Sequence, residues 1–357
     1  MCIGVKAKSK MDLNYRDEYK NLLTPEIVNC LCILHEYKGC QDYILEGNEA
    51  DLDKMHAQSR LQSIASSNRM EGITAGESQM KKLAADKANP HEEKEKKIAG
   101  YRDAWMKIYR KNASLPFTPA AISELHRDLY RWFWIQGIGM FRKNDRLSQA
   151  ESSRLGSDCH IFPFEEIPEK MYQLCEAFLE SKKDGLDPLL LIPMAVLNFL
   201  QIRPFSEGNE RMSRLLIHLL LVQNGYFMGR YCSIERRMEE SRESYYELIA
   251  PAVTKGQYGF IDYVPFTLYL LKIFSDTCRE FQDRALIMDD HELSKLNQVR
   301  KTIQNYEGIF TKARIAEKCT NVSEKTMQRA FEMLINSKEI IKIGGGRYTS
   351  YQWNGEK

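Results

Sequence analysis

The sequence predicts a mainly α protein with a small basic domain at its C-terminal end. Three observations carry this. Apolar residues recur at helical spacing from about residue 98 to 285. From Ser294 the pattern changes to helix, helix, turn, helix, hairpin, which is the pattern of a winged helix-turn-helix domain. Between two of the central helices, Gly137 to Pro163 is rich in glycine and polar residues and holds a short extended piece, Cys159 to Phe162. It reads as a loop with a small β-hairpin rather than as a sheet-forming domain.

The elements follow in order. Residues 1–97 form an N-terminal helical region: Thr24-Pro25 starts one helix, a second amphipathic segment covers Leu61 to Ile73, and the mixed-sign run HEEKEKK, His91 to Lys97, is a solvated helix face or linker. Residues 98–286 form the core. Ile98, Tyr101, Trp105, Ile108 and Tyr109 make one apolar face, Ile122, Leu125, Leu129 and Trp132 another, and Leu174, Phe178 and Leu179 a third. The aromatic run RWFWI, Arg131 to Ile135, is expected in the core. IMDDHELSK, Ile287 to Lys295, reads as a linker. In the domain 294–357, Ser323 caps a helix that turns Met327, Phe331, Leu334 and Ile335 inward, and Gly344-Gly345-Gly346 tips a hairpin.

Composition narrows the class. The 357 residues are 43% hydrophobic and 28% charged, as in ordinary globular proteins, and the net charge of +2 singles out no partner. That balance hides an asymmetry: Ser294 to Lys357 holds twelve Lys/Arg against six Asp/Glu, and the rest of the chain is net negative. Nine cysteines without metal spacing read as reduced thiols. MCIGVKAKSK has no apolar core of a signal peptide, and the run Leu189 to Leu200 is too short to span a bilayer. The expectation is a cytoplasmic protein with no membrane partner.

One stretch carries chemistry: IRPFSEGNERMSRLL, Ile202 to Leu216. Arg203-Pro204 ends a buried apolar helix, because a residue before proline disfavours the α region. Gly208 permits a tight turn, and Met212, Leu215, Leu216, Leu219 and Leu220 open a new helix. The start of a helix offers unpaired N–H groups and partial positive charge, a natural anion site. Arg211 and Arg214 stand one turn apart on that first turn, where each opposes the helix dipole by ~0.3–1 kcal/mol. Either an anion sits between them, or they pair with local carboxylates.

The stretch resembles the signature loop of the Fic family, H-P-F-x-[DE]-G-N-G-R-x-x-R, here R-P-F-S-E-G-N-E-R-M-S-R. GMFRKND, Gly139 to Asp145, is similar to the family's segment before its β-hairpin flap. CHIFPFEE, Cys159 to Glu166, is similar to the flap itself, and SIERRMEESRESYYELI to the segment after the motif helix. The resemblance covers roughly residues 55 to 285. It implies a Fic-like helical core that binds ATP and transfers AMP to a hydroxyl on a target protein. It further implies that Glu207 holds magnesium, that Gly208, Asn209 and the N–H groups around position 210 cradle phosphate, and that Arg211 and Arg214 neutralise the β- and γ-phosphates.

Two departures count against that chemistry. Arg203 stands where the family has its general-base histidine, and a guanidinium cannot accept a proton; general base catalysis is worth ~10²–10⁴-fold. Glu210 replaces a loop glycine. It would cost about 1–2 kcal/mol if φ had to be positive, and its carboxylate would compete with phosphate for Arg211. Upstream, Ser67 to Gly72, S-N-R-M-E-G, resembles the family's inhibitory motif [ST]-x-x-x-E-[GN]. The resemblance implies that Glu71 reaches Arg214 and blocks the γ-phosphate.

Three functions follow as expectations. One is a degenerate Fic protein, weak or inactive as a transferase and regulatory in role. The second is an active, self-inhibited adenylyltransferase using ATP and magnesium. The third is a DNA-binding regulator in which Lys325, Arg329, Lys342 and Arg347 contact phosphates and the Fic fold is a scaffold. Glu324 and Glu332 on the same helix oppose DNA. His218 is expected to be a satisfied core histidine, and His160 to lie in the flap.

Overall fold

The computed structural model describes residues 13–45, 49–110, 115–134, 137–149, 151–152, 161–255, 261–346 and 349–354. It is mainly α. The helices are α1 Tyr15–Leu22, α2 Pro25–Leu45, α3 Glu49–Met70, α4 Glu77–Ala84, α5 Glu93–Arg110, α6 Pro119–Leu129, α7 Ile167–Lys183, α8 Pro188–Ile202, α9 Asn209–Gln223, α10 Met228–Tyr231, α11 Ile234–Glu240, α12 Arg242–Lys255 and α13 Val264–Gln304. Then follow β1 Ile309–Phe310, α14 Lys312–Lys318, α15 Glu324–Asn336, β2 Ile340–Ile343 and β3 Ser350–Trp353. The chain divides into two compact units between Phe281 and Gln282.

In the first unit α8 is the central helix. Asp187 caps it by accepting the Leu189 N–H at 2.9 Å, and Pro188 occupies its first turn. Every residue from Leu189 to Ile202 is buried, which is why its sequence is almost continuously apolar. Helices α1, α7, α9 and α12 pack around it. Its buried amide Asn198 is satisfied by Tyr15 and Tyr263. Helix α3 packs against α4, α5, α9, α10 and α11, so the N-terminal helices share this unit's core. Helix α5 runs without a break through residues 97 and 98. Among the described residues, no helix is long and apolar enough to cross a membrane.

In the second unit the strands pair antiparallel in the order β1-β3-β2, with Ile340 opposite Trp353 and Ile309 opposite Gln352. Ser323 caps α15 by accepting the Thr326 N–H at 3.2 Å. Its amphipathic face puts Met327, Ala330, Phe331 and Leu334 into a core with Val299, Ile303, Phe310 and Ile315. The short strand β1 was not legible in the sequence.

Two expectations need correction, and a third falls largely outside the described residues. Ile287 to Lys295, expected as a linker without a helix assigned to it, is helical and part of α13; the segment has no Gly or Pro to stop a helix. RWFWI is not core: α6 stops at Leu129, Trp132 and Phe133 are half-buried, Trp134 is fully exposed, and Ile135 lies outside the described residues. Of the expected flap, 153–160, with Cys159 and His160, lies outside the described residues. The described part has no strand: Glu151 and Ser152 are helical, and Phe164–Glu166 is a 3-10 turn.

Candidate active site

The chain leaves α8 and reverses between Arg203 and Gly208. Arg203 adopts the left-handed conformation, φ 46 and ψ 65, while its N–H still bonds the Phe199 carbonyl at 3.0 Å. The proline that follows excludes the α region, so the helix ends here. Gly208 has φ 82, and a Cβ on it would lie 2.6 Å from the Tyr130 hydroxyl. Both its backbone conformation and its surroundings therefore require glycine. Asn209 then clasps the turn: its Oδ1 accepts the Phe205 N–H at 3.0 Å and its Nδ2 donates to the Phe205 carbonyl at 2.8 Å.

Arg203 is fully buried between two carboxylates, with Nη1 3.0 Å from Glu151 and Nη2 3.4 Å from Glu210. Glu151 also accepts the Asn209 N–H at 2.8 Å and Asn209 Nδ2 at 2.8 Å. Burial pushes the Glu151 carboxyl above the usual carboxylate range, against the pull of Arg203 and Asn209. Glu210 differs from expectation twice. It lies in helical backbone, so the turn's positive φ falls on Arg203 and Gly208 instead. Its carboxylate pairs with Arg203, while Arg211 makes no carboxylate contact among the described residues.

Arg211 is buried. Its Nη2 donates to the Lys97 carbonyl at 2.7 Å and its guanidinium lies over the rings of Tyr130 and Tyr101, at 5.6 and 5.9 Å. Arg214 turns the other way, towards α3. Its Nε donates to Ser67 Oγ at 2.8 Å, and Nη2 to the Ser67 carbonyl at 3.1 Å and to Glu71 Oε1 at 2.8 Å. Gly72, φ 74, ends α3 just beyond. With the Ile73 N–H returning to the Asn68 carbonyl at 2.9 Å, this holds Glu71 at the helix terminus.

Glu207 is half-exposed, its Oε1 3.1 Å from Lys97 Nζ. Its carbonyl accepts from His126 Nε2 at 3.1 Å. The Gly139 N–H donates to His126 Nδ1 at 3.1 Å, which leaves the ring proton on Nε2. Burial holds this imidazole neutral, its pKa lowered to about 4, and the ring stacks on Phe205 at 3.8 Å. The backbone from 142 to 148 is stitched to the turn: the Arg142 N–H donates to the Pro204 carbonyl at 2.8 Å, Arg142 Nε to the Arg203 carbonyl at 3.0 Å, and the Ser148 N–H to the Ser206 carbonyl at 2.7 Å. A cavity of about 470 Å³ opens beside Ser206 and Glu207, walled by His126, Tyr130, Phe141 and Lys143.

These residues, as placed, do not fit a magnesium-bound triphosphate. The Asn209 N–H and amide are taken by Glu151, Arg214 is taken by Ser67 and Glu71, and Glu207 faces Lys97. Among the described residues no group of three or more His, Cys, Asp or Glu side chains could hold a metal ion. The loop residues Arg203 and Gly208 to Arg214 come together with Ser67 and Glu71; Gly72 stays at the exposed end of α3. Sequence reasoning missed Glu151, His126, Arg142 and Lys97. GMFRKND pointed to Arg142, but nothing in the local pattern singled out Glu151.

Residues 116–221 match the family model described as Fic/DOC family. That match places a Fic/DOC-family segment in the first unit, and the fold of the chain agrees with solved Fic structures. A Fic family protein from Desulfovibrio desulfuricans G20 superposes with a TM-score of 0.58 at 19% identity, covering 94% of this chain and 98% of that one. A Fic domain containing signaling protein from Bacteroides thetaiotaomicron VPI-5482 gives 0.57 at 18%, over 71% of this chain and 97% of that one. Fic-1 from C. elegans gives 0.55 at 16%, over 72% of each.

Proposed function

We propose that this chain is a degenerate Fic protein, weak or inactive in AMP transfer, whose role is regulatory. The observation that carries this reading is Arg203. It stands at the base position of the loop, fully buried, and is committed to Glu151 and Glu210. It cannot accept a proton, and it cannot swing away without taking its charge from two buried carboxylates. The test is incubation of the full chain, and of Glu71→Ala, with ATP and magnesium, followed by intact mass. The expected result is no AMP adduct on either. Robust AMP addition by either protein overturns the reading and restores that of a self-inhibited adenylyltransferase.

A second role rests on the C-terminal unit. Its order of helix, strand, helix, turn, helix and hairpin, with the net +6 of Ser294 to Lys357, supports a winged helix that binds DNA phosphates. Lys325, Arg329 and Lys342 are exposed there; Arg347 lies outside the described residues. Anisotropy titrations on a random duplex should show affinity falling steeply as salt rises. Absent or salt-insensitive binding removes this role.

A further inference from the structure

We propose that Glu151 is a built-in anion of the signature loop, closing it to nucleotide phosphate independently of Glu71. The inference rests on reading the loop as a phosphate cradle. Its carboxylate, 2% exposed, receives Arg203 Nη1 at 3.0 Å, the Asn209 N–H at 2.8 Å and Asn209 Nδ2 at 2.8 Å. A main-chain N–H at the start of a helix, a side-chain amide and a guanidinium are the donors an oxyanion of phosphate would take. Carboxylate and phosphate compete for the same hydrogens, and the carboxylate is tethered.

The tether is visible. The Ser148 N–H bonds the Ser206 carbonyl at 2.7 Å, and Ser148 Oγ accepts the Glu151 N–H at 3.3 Å. A single helical turn, closed by the Ser152 N–H on the Ser148 carbonyl at 2.9 Å, then aims Glu151 into the cradle. Glu71 arrives from α3 on the opposite flank and takes Arg214 instead. The two carboxylates thus block different donors from different elements.

The same geometry accounts for Arg203. Glu151 and Glu210 are both buried and converge on one guanidinium. A neutral imidazole there would remove the guanidinium charge on which both carboxylates converge. The lost base and the internal anion are one arrangement.

The experiment is calorimetry of ATP–magnesium binding to the full chain in four forms: wild type, Glu71→Ala, Glu151→Gln, and Glu71→Ala with Glu151→Gln. Wild type and Glu71→Ala are expected to bind ATP only weakly, and the double variant to bind at least about tenfold tighter than Glu71→Ala. If Glu71→Ala alone binds ATP as tightly as the double variant, or the folded double variant gains nothing, the proposal is overturned. Should the Gln form not fold, Glu71→Ala with Glu151→Asp keeps the charge at 151 but shortens the reach by one methylene. A gain in ATP binding over Glu71→Ala supports the proposal, and no gain overturns it. These outcomes are separate from AMP addition by wild type, which would sink the broader reading of the chain as a degenerate transferase.

Discussion

Glu71 Oε1 lies 2.8 Å from Arg214 Nη2, although 143 residues separate the two in sequence. The contact joins the end of α3 to the first turn of α9. It forms because Gly72 stops α3 in a left-handed residue and because Arg214, buried in the core, has no aqueous alternative. Ser67, one turn earlier on α3, supplies two more acceptors to the same guanidinium.

Glu71→Ala should therefore destabilise the first unit while leaving it folded. Ser67 keeps part of Arg214 satisfied, so the expected loss is ~1–3 kcal/mol. Urea unfolding of wild type, Glu71→Ala, Ser67→Ala and the double variant measures it. The double loss should differ from the sum of the singles, since both partners hold one guanidinium.

Gly208→Ala should cost about 1–3 kcal/mol, from a left-handed backbone residue and a Cβ driven against Tyr130. A melting temperature unchanged by the substitution would show that the turn has another conformation available.

The pair His218–Glu235 is a polar knot in the core. His218 Nε2 lies 2.8 Å from Glu235 Oε1, which also accepts from Tyr101 at 2.8 Å, and Tyr109 closes on His218 Nδ1 at 2.6 Å. Burial opposes ionisation of Glu235, but the His218 charge and hydrogen bond prevail and bring its pKa from 4.5 to about 2. A depressed carboxyl contributes stability that is fully present above pH 4.5 and lost as pH falls towards 2. Glu235→Gln should remove that pH dependence and cost ~3–5 kcal/mol at neutral pH. Calorimetric unfolding across that pH range checks both.

His126 sets a second pH window. Burial lowers its pKa from 6.5 to about 4, so the unfolded chain binds the proton first. Its contribution is intact above pH 6.5 and declines as pH falls towards 4, by on the order of 3 kcal/mol in all. His56, lowered to about 4 by burial and then by Arg230, acts in the same window. His126→Gln should flatten the stability profile between those pH values; a profile identical to wild type would show that His126 is not the titrating group.

The loop was legible because its information is local. Arg203-Pro204, Gly208 and the apolar run from Met212 fix a helix end, a turn and a helix start within a dozen residues. Glu71 was legible through a short motif that a resemblance connected to Arg214. The aromatic run at 131–135 misled because apolar spacing reports burial only while the helix continues, and α6 ends at Leu129. The expected linker misled for the opposite reason: its charged residues are also good helix formers, and nothing in it stops a helix.

By itself the sequence determined a mainly helical chain, the turn before α9, the two loop departures and a basic C-terminal unit, since periodicity, glycine and charge act over a few residues. Only the tertiary structure decided what Arg203 and Glu210 are for. Glu151, the carboxylate that shares Arg203 with Glu210, lies 52 residues from Arg203 in sequence. A buried guanidinium takes its meaning from whichever carboxylate the fold brings within hydrogen-bond reach, and no local pattern records that distance.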